Sequence, residues 1–107
     1  MEELERTLYI NKLFAIYGGL LTDTQKNIIS DYYELNLSLS EIAENRGISR
    51  AAVDDAIKKG VKKLEYYEEV LKYSKNKEEI FKKLAKIGKN TENAEILKII
   101  KDVEDLL

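Results

Sequence analysis

The chain has no cysteine and no histidine among its 107 residues. Disulfides, thiolate nucleophiles and imidazole metal sites are therefore excluded, and imidazole acid–base catalysis with them. Proline is also absent, although ordinary usage of about 5% would place roughly five in a chain of this length. With only five glycines, little interrupts a helix. No apolar run approaches the roughly 18 residues a membrane span requires. The acidic start, Met-Glu-Glu-Leu-Glu, has the wrong charge for a secretory or transit leader. Together these point to a soluble, cytoplasmic protein of one ordinary domain, or of a small domain with an extension, with 44% hydrophobic residues to build its core.

Catalysis would have to rest on carboxylates, tyrosines and lysines. The adjacent acidic pairs Glu2-Glu3, Asp54-Asp55, Glu68-Glu69 and Glu78-Glu79 point about 100° apart on a helix and so do not converge on a substrate. We therefore expect no enzyme, no catalytic residue, no metal site and no cofactor. The net charge of −2 hides an uneven distribution. Residues 1–37 carry three basic and six acidic groups, residues 38–67 six basic and five acidic, and residues 68–107 nine of each. A dedicated nucleic-acid binder usually shows a larger basic surplus; here there is only a local patch.

What the chain does contain is a succession of helix caps and apolar stripes. Leu4, Leu8, Leu13, Phe14 and Tyr17 trace a first helix over 2–17 that Gly18-Gly19 would end. Thr22 and Gln25 form a capping box preceded by leucine, and Ile28, Ile29, Tyr32 and Tyr33 follow to about Leu35-Asn36-Leu37. Ser38 and Glu41 form a second capping box, with Leu39, Ile42 and Ala43 inward. Gly47 can take the left-handed conformation that ends a helix in a sharp turn. Ile48 is expected to plug that corner, and Ser49 to cap a helix whose Val53, Ala56 and Ile57 share a face. This is the layout of a helix-turn-helix.

The second helix of that motif runs on through Val61, Leu64, Tyr67 and Leu71, to about Tyr73. Gly60 inside it costs about 1 kcal/mol of helix propensity, unless its missing side chain admits another helix. Two further helices are expected, from Ser74 or Asn76 to Gly88 and from Asn90 or Thr91 to the end, with Ile96, Ile99, Ile100, Val103, Leu106 and Leu107 apolar. The expectation is all-α: six helices, no strand, a helix-turn-helix domain over 1–66 and a C-terminal helical extension over 67–107. Seven-residue spacings, such as Ile96 to Val103, suit packing of that extension on the first part or a homodimer.

Leu20-Leu21-Thr22, Gln25, Tyr32-Tyr33 and Ser38-Leu39-Ser40-Glu41-Ile42-Ala43-Glu44 resemble a small bacterial family, the YlxM helix-turn-helix proteins. Ser49-Arg50-Ala51-Ala52-Val53-Asp54-Asp55, Ile57-Lys58 and Leu64-Glu65-Tyr66-Tyr67-Glu68 carry the same likeness, which covers roughly residues 4–71. The family is itself similar to region 4 of sigma factors. The resemblance implies a sigma-region-4-like helix-turn-helix bundle with a long recognition helix. It also implies a regulatory or accessory role in the signal recognition particle pathway, because these proteins are typically encoded beside the particle's GTPase. That GTPase and its RNA become the expected partners.

The alternative is a DNA-binding regulator with the 49–63 helix in the major groove. Ser49 and Arg50 would then meet phosphate or guanine, Ala51 and Asp54 would face base edges, and Lys58 and Lys62 would reach the backbone. Ser38 and Ser40 would hold a phosphate on the far side. Asp54 and Asp55 weigh against DNA, since two carboxylates on a groove-facing surface repel phosphate and Ala51 offers only a methyl contact.

Overall fold

The computed structural model describes residues 2–107. Among these residues six α-helices form: α1 Glu3–Tyr17, α2 Asp23–Ile29, α3 Leu39–Arg46, α4 Arg50–Leu71, α5 Tyr73–Lys89 and α6 Ala94–Asp105. Among the described residues there is no strand, as expected of an all-α protein. The chain divides into two compact units, one ending at Leu71 and the other spanning Lys72–Leu107. The division falls where Lys72 adopts a left-handed φ of 54° and stops α4.

In the first unit both capping boxes are closed. Thr22 Oγ1 accepts the Gln25 N–H while the Gln25 carboxamide accepts the Thr22 N–H. Ser38 and Glu41 repeat the arrangement at α3. After Ile29 the second helix widens into one π-helical turn, Ser30–Glu34, closed by the Leu35 N–H on the Ser30 carbonyl. Asn36, at φ 57°, then ends it.

Ile10, Leu13, Ile28, Ile29, Ile42, Val53 and Leu64 are almost wholly excluded from solvent and form the centre of the core, joined by Phe14, Tyr17, Leu21, Ile57 and Val61. Helix α4, 22 residues and about 33 Å long, is the spine against which α1, α2 and α3 pack. Gly60 permits a close approach of α2. A Cβ there would lie 2.3 Å from Ile29 Cδ1 and 3.3 Å from its Cγ1.

Three sequence expectations are corrected. Leu4 and Leu8 are 68% and 61% exposed. Helix α1 turns Leu13, Phe14 and Tyr17 inward as the stripe predicts, with Ile10 in place of the two leucines. Its rotation accompanies two bonds to α4: Arg6 to Glu65 at 3.2 Å and the Tyr17 hydroxyl to Glu68 at 2.7 Å. Ile48 does not plug the corner; it is 38% exposed, whereas Ile42 and Val53 on either side are fully enclosed. The last helix begins at Ala94, where Asn93 caps it by accepting the Glu95 and Ile96 N–H groups.

The second unit is an antiparallel hairpin. The Tyr73 hydroxyl donates to the Leu107 carbonyl at one end. At the other, Gly88 faces Leu97 and Ile100. No apolar side chain of this hairpin is buried.

If Gly60 is kept small by Ile29, the two positions must be coupled. Gly60→Ala in the native background should be destabilising by up to about 2 kcal/mol, overpacking outweighing the gain in helix propensity. In an Ile29→Val background, which removes Cδ1, the same substitution should be neutral or stabilising. Urea denaturation of the four proteins of this cycle measures that difference.

Candidate nucleic-acid interface

The corner between α3 and α4 is built from backbone bonds. Gly47 sits at φ 65° and ψ 34°. Its N–H meets the Glu44 carbonyl at 3.4 Å, and the Ile48 N–H bonds Ala43 at 3.1 Å, so the carbonyls left over at the helix end are satisfied. Ser49 then caps α4 by accepting the Ala52 N–H at 3.0 Å. Only three residues separate two capped helices, and that forces them to cross.

A buried carboxylate holds the corner from below. Asp31, in the π turn and only 7% exposed, accepts two bonds from Arg46: Nε at 2.6 Å and a terminal guanidinium nitrogen at 3.0 Å. This bidentate grip ties the end of α3 to the second helix. The hydrogen bond to Asp31 also raises the Arg46 pKa further. Arg46 thus leaves the basic patch and becomes a structural residue. Neither partner stands out in the sequence, since they lie fifteen positions apart on different helices.

Ser38 and Ser40 are exposed at the start of α3, with the Ser38 hydroxyl engaged as acceptor in its cap. That cap, chiefly its hydrogen bonds from Ser38, holds the Glu41 carboxyl below the usual carboxylate range. On α4, Arg50 and Ala51 are exposed and line an open recess with Asp54 and with Leu39 of α3. Four side chains from the two crossed helices therefore meet at one place. Lys58 and Lys62 follow on the same helix, both exposed.

The two aspartates are occupied by their own helix. Lys58 Nζ lies 2.8 Å from Asp54 Oδ2, and Lys59 Nζ lies 3.0 Å from Asp55 Oδ2. The carboxylates and lysines of this stretch partly neutralise each other, and the hydrogen bond to Asp54 raises the Lys58 pKa. Lys63 bonds the Gln25 carboxamide at 3.3 Å. Tyr33 and Tyr67 pack against the core, whereas Tyr66 is 61% exposed.

Two capped helices crossing at a left-handed glycine, with the N-terminus of the second exposed, define a helix-turn-helix protein. The family model described as "Putative helix-turn-helix protein, YlxM / p13 like" matches residues 4–105, and the chain belongs to that family. It is 42% identical over 107 residues to the YlxM protein of Bacillus subtilis (strain 168), covering 96% of this chain and 97% of that one. A family protein of Fusobacterium nucleatum is 39% identical over 100 residues, 94% of this chain and 97% of its own. One from Thermoanaerobacter sp. (strain X514) is 42% identical over 103 residues, 90% of this chain and 88% of its own. Among the described residues no helix is long and apolar enough to cross a membrane.

Arg46→Met would leave the Asp31 carboxylate buried without its cation. Because Arg46 is itself partly exposed, the expected loss is about 2–3 kcal/mol, less than for a fully buried pair. Asp31→Leu combined with Arg46→Met should recover much of it. Denaturant midpoints of the single and double variants check both statements.

Proposed function

We propose that the chain is a regulatory or accessory protein of the signal recognition particle pathway whose helix-turn-helix face meets nucleic-acid backbone rather than base edges. Its expected partners are the particle's RNA and GTPase. The pathway is supported by the resemblance of residues 4–71 to the YlxM proteins. The mode of contact is supported by one observation: Asp54 and Asp55 are each held by a lysine one turn on. These exposed pairs exchange readily, so Lys58 can turn to a phosphate, while the aspartates stay poor partners for any base except cytosine.

Arg50, Lys58 and Lys62 are the cations offered, with Ser38, Ser40 and Ser49 supplying hydroxyls beside two helix N-termini. A sequence-specific DNA regulator is the second reading, favoured by the exposure of Arg50 in the first turn of α4, where a guanine would be read. A homodimer through residues 72–107 belongs to either reading.

Three phosphate contacts predict a slope of log affinity against log salt of about −2 on single-stranded RNA and −3 on duplex DNA. Anisotropy titrations of the particle's RNA and of a mixed-sequence duplex should show that dependence, with the RNA bound more tightly. Replacing Arg50, Lys58 and Lys62 together by alanine should abolish both binding and slope. Undiminished RNA binding by that variant would refute the proposed contact face. Selection of one motif from random duplexes would favour the DNA regulator instead.

A further inference from the structure

The hairpin Lys72–Leu107 has an apolar side that its own two helices leave open. Ile80 and Ile87 on α5 are 36% and 48% exposed, and Ile99 and Leu106 on α6 are 54% and 84% exposed. Each pair is separated by seven residues, so each forms a seam along its helix. Gly88 faces Leu97 and Ile100, and helical periodicity then brings both seams to the same side of the hairpin. A unit shorter than roughly 40 residues usually needs a disulfide, a metal or association with another chain. This chain has no cysteine. Among the described residues no cluster of acidic side chains could hold a metal.

Charge identifies the occupant. Residues 72–89 carry seven lysines against Glu78 and Glu79, a net +5, whereas residues 92–105 carry five acidic groups against Lys98 and Lys101, a net −3. Laying α5 on α5 of a second copy would oppose +5 with +5. Laying α5 on the partner's α6 opposes +5 with −3 and makes every neighbouring helix in the set of four antiparallel, which also suits their dipoles.

We propose that the hairpin is a self-association surface on which α5 of one copy lies along α6 of a second copy, tips together, closing a four-helix bundle. The level of Gly88 with Leu97 and Ile100 places Ile87 opposite Ile99 of the partner subunit and Ile80 opposite Leu106 of the partner subunit. The four exposed side chains are thereby covered pairwise. The overlap is set by α6, 12 residues or about 18 Å long, so a face about 20 Å wide removes roughly 360 Å² per copy, or about 700 Å² in all, the size of a weak, concentration-dependent interface. The inference deepens the homodimer put forward above and does not depend on what the helix-turn-helix face binds.

The absence of native cysteine makes the arrangement directly testable on the full chain. Sedimentation equilibrium should give a dimeric mass. Ile87→Cys protein mixed with Ile99→Cys protein should form a disulfide-linked pair on mild oxidation, while Ile99→Cys alone should form little. A monomeric mass at every concentration overturns the proposal. So does a dimer in which Ile99→Cys crosslinks to itself and the mixture gives no mixed disulfide, because that outcome places α6 on α6. Circular dichroism of each reduced variant confirms that the helices are retained, and nucleic-acid binding measured on the same samples reports separately on the helix-turn-helix reading.

Discussion

The left-handed backbone of Gly47 is the constraint from which the first unit is built. With φ at 65°, the chain leaves α3 and enters α4 within three residues. An L-residue pays about 1–2 kcal/mol to sit there, glycine almost nothing. The turn brings Ile42 and Val53, one from each helix, into the same fully enclosed core. It also points the capped start of α4 outward. Asp31 then fixes the end of α3 through Arg46, and Gly60 lets Ile29 settle against α4. The corner, the clamp and the close approach all act on the same three helices.

Much of this was legible in the sequence because it is local. A Ser-x-x-Glu box, a glycine after an apolar stripe and a serine before the next one each carry their own geometry. The course of α4 from Arg50 to Leu71 could be followed from the spacing of Val53, Ile57, Val61 and Leu64. What escaped depends on partners distant in sequence. Leu4 and Leu8 have the spacing of a core stripe, yet the face of α1 that turns inward is set by its neighbours, including the bonds of Arg6 and Tyr17 to α4. Arg46 counted as part of a basic patch until the fold brought Asp31 beneath it.

The candidate site shows the same division. Three of the residues named from the motif, Arg50, Ala51 and Asp54, line one recess together with Leu39, which the apolar stripe assigns to the interior. The site's electrostatics could not be read from a charge count. With Arg46 held by Asp31 and Lys63 bonded to Gln25, the cationic face narrows to a short strip. The aspartates that argued against phosphate are partly quenched by Lys58 and Lys59. Few cations and little base-reading chemistry remain on this face.

The most direct test of the Gly47 corner uses its handedness. A Cβ at this position meets nothing within 4 Å beyond its own chain neighbours, so substitution changes the backbone preference and not the tertiary packing. L-alanine at position 47 should lower the unfolding free energy by about 1–2 kcal/mol. D-alanine, introduced by semisynthesis, favours positive φ and should match or exceed the stability of the glycine protein. Equal stability of the two alanine proteins, or greater stability of the L-form, would show that the left-handed turn does not hold the helices crossed.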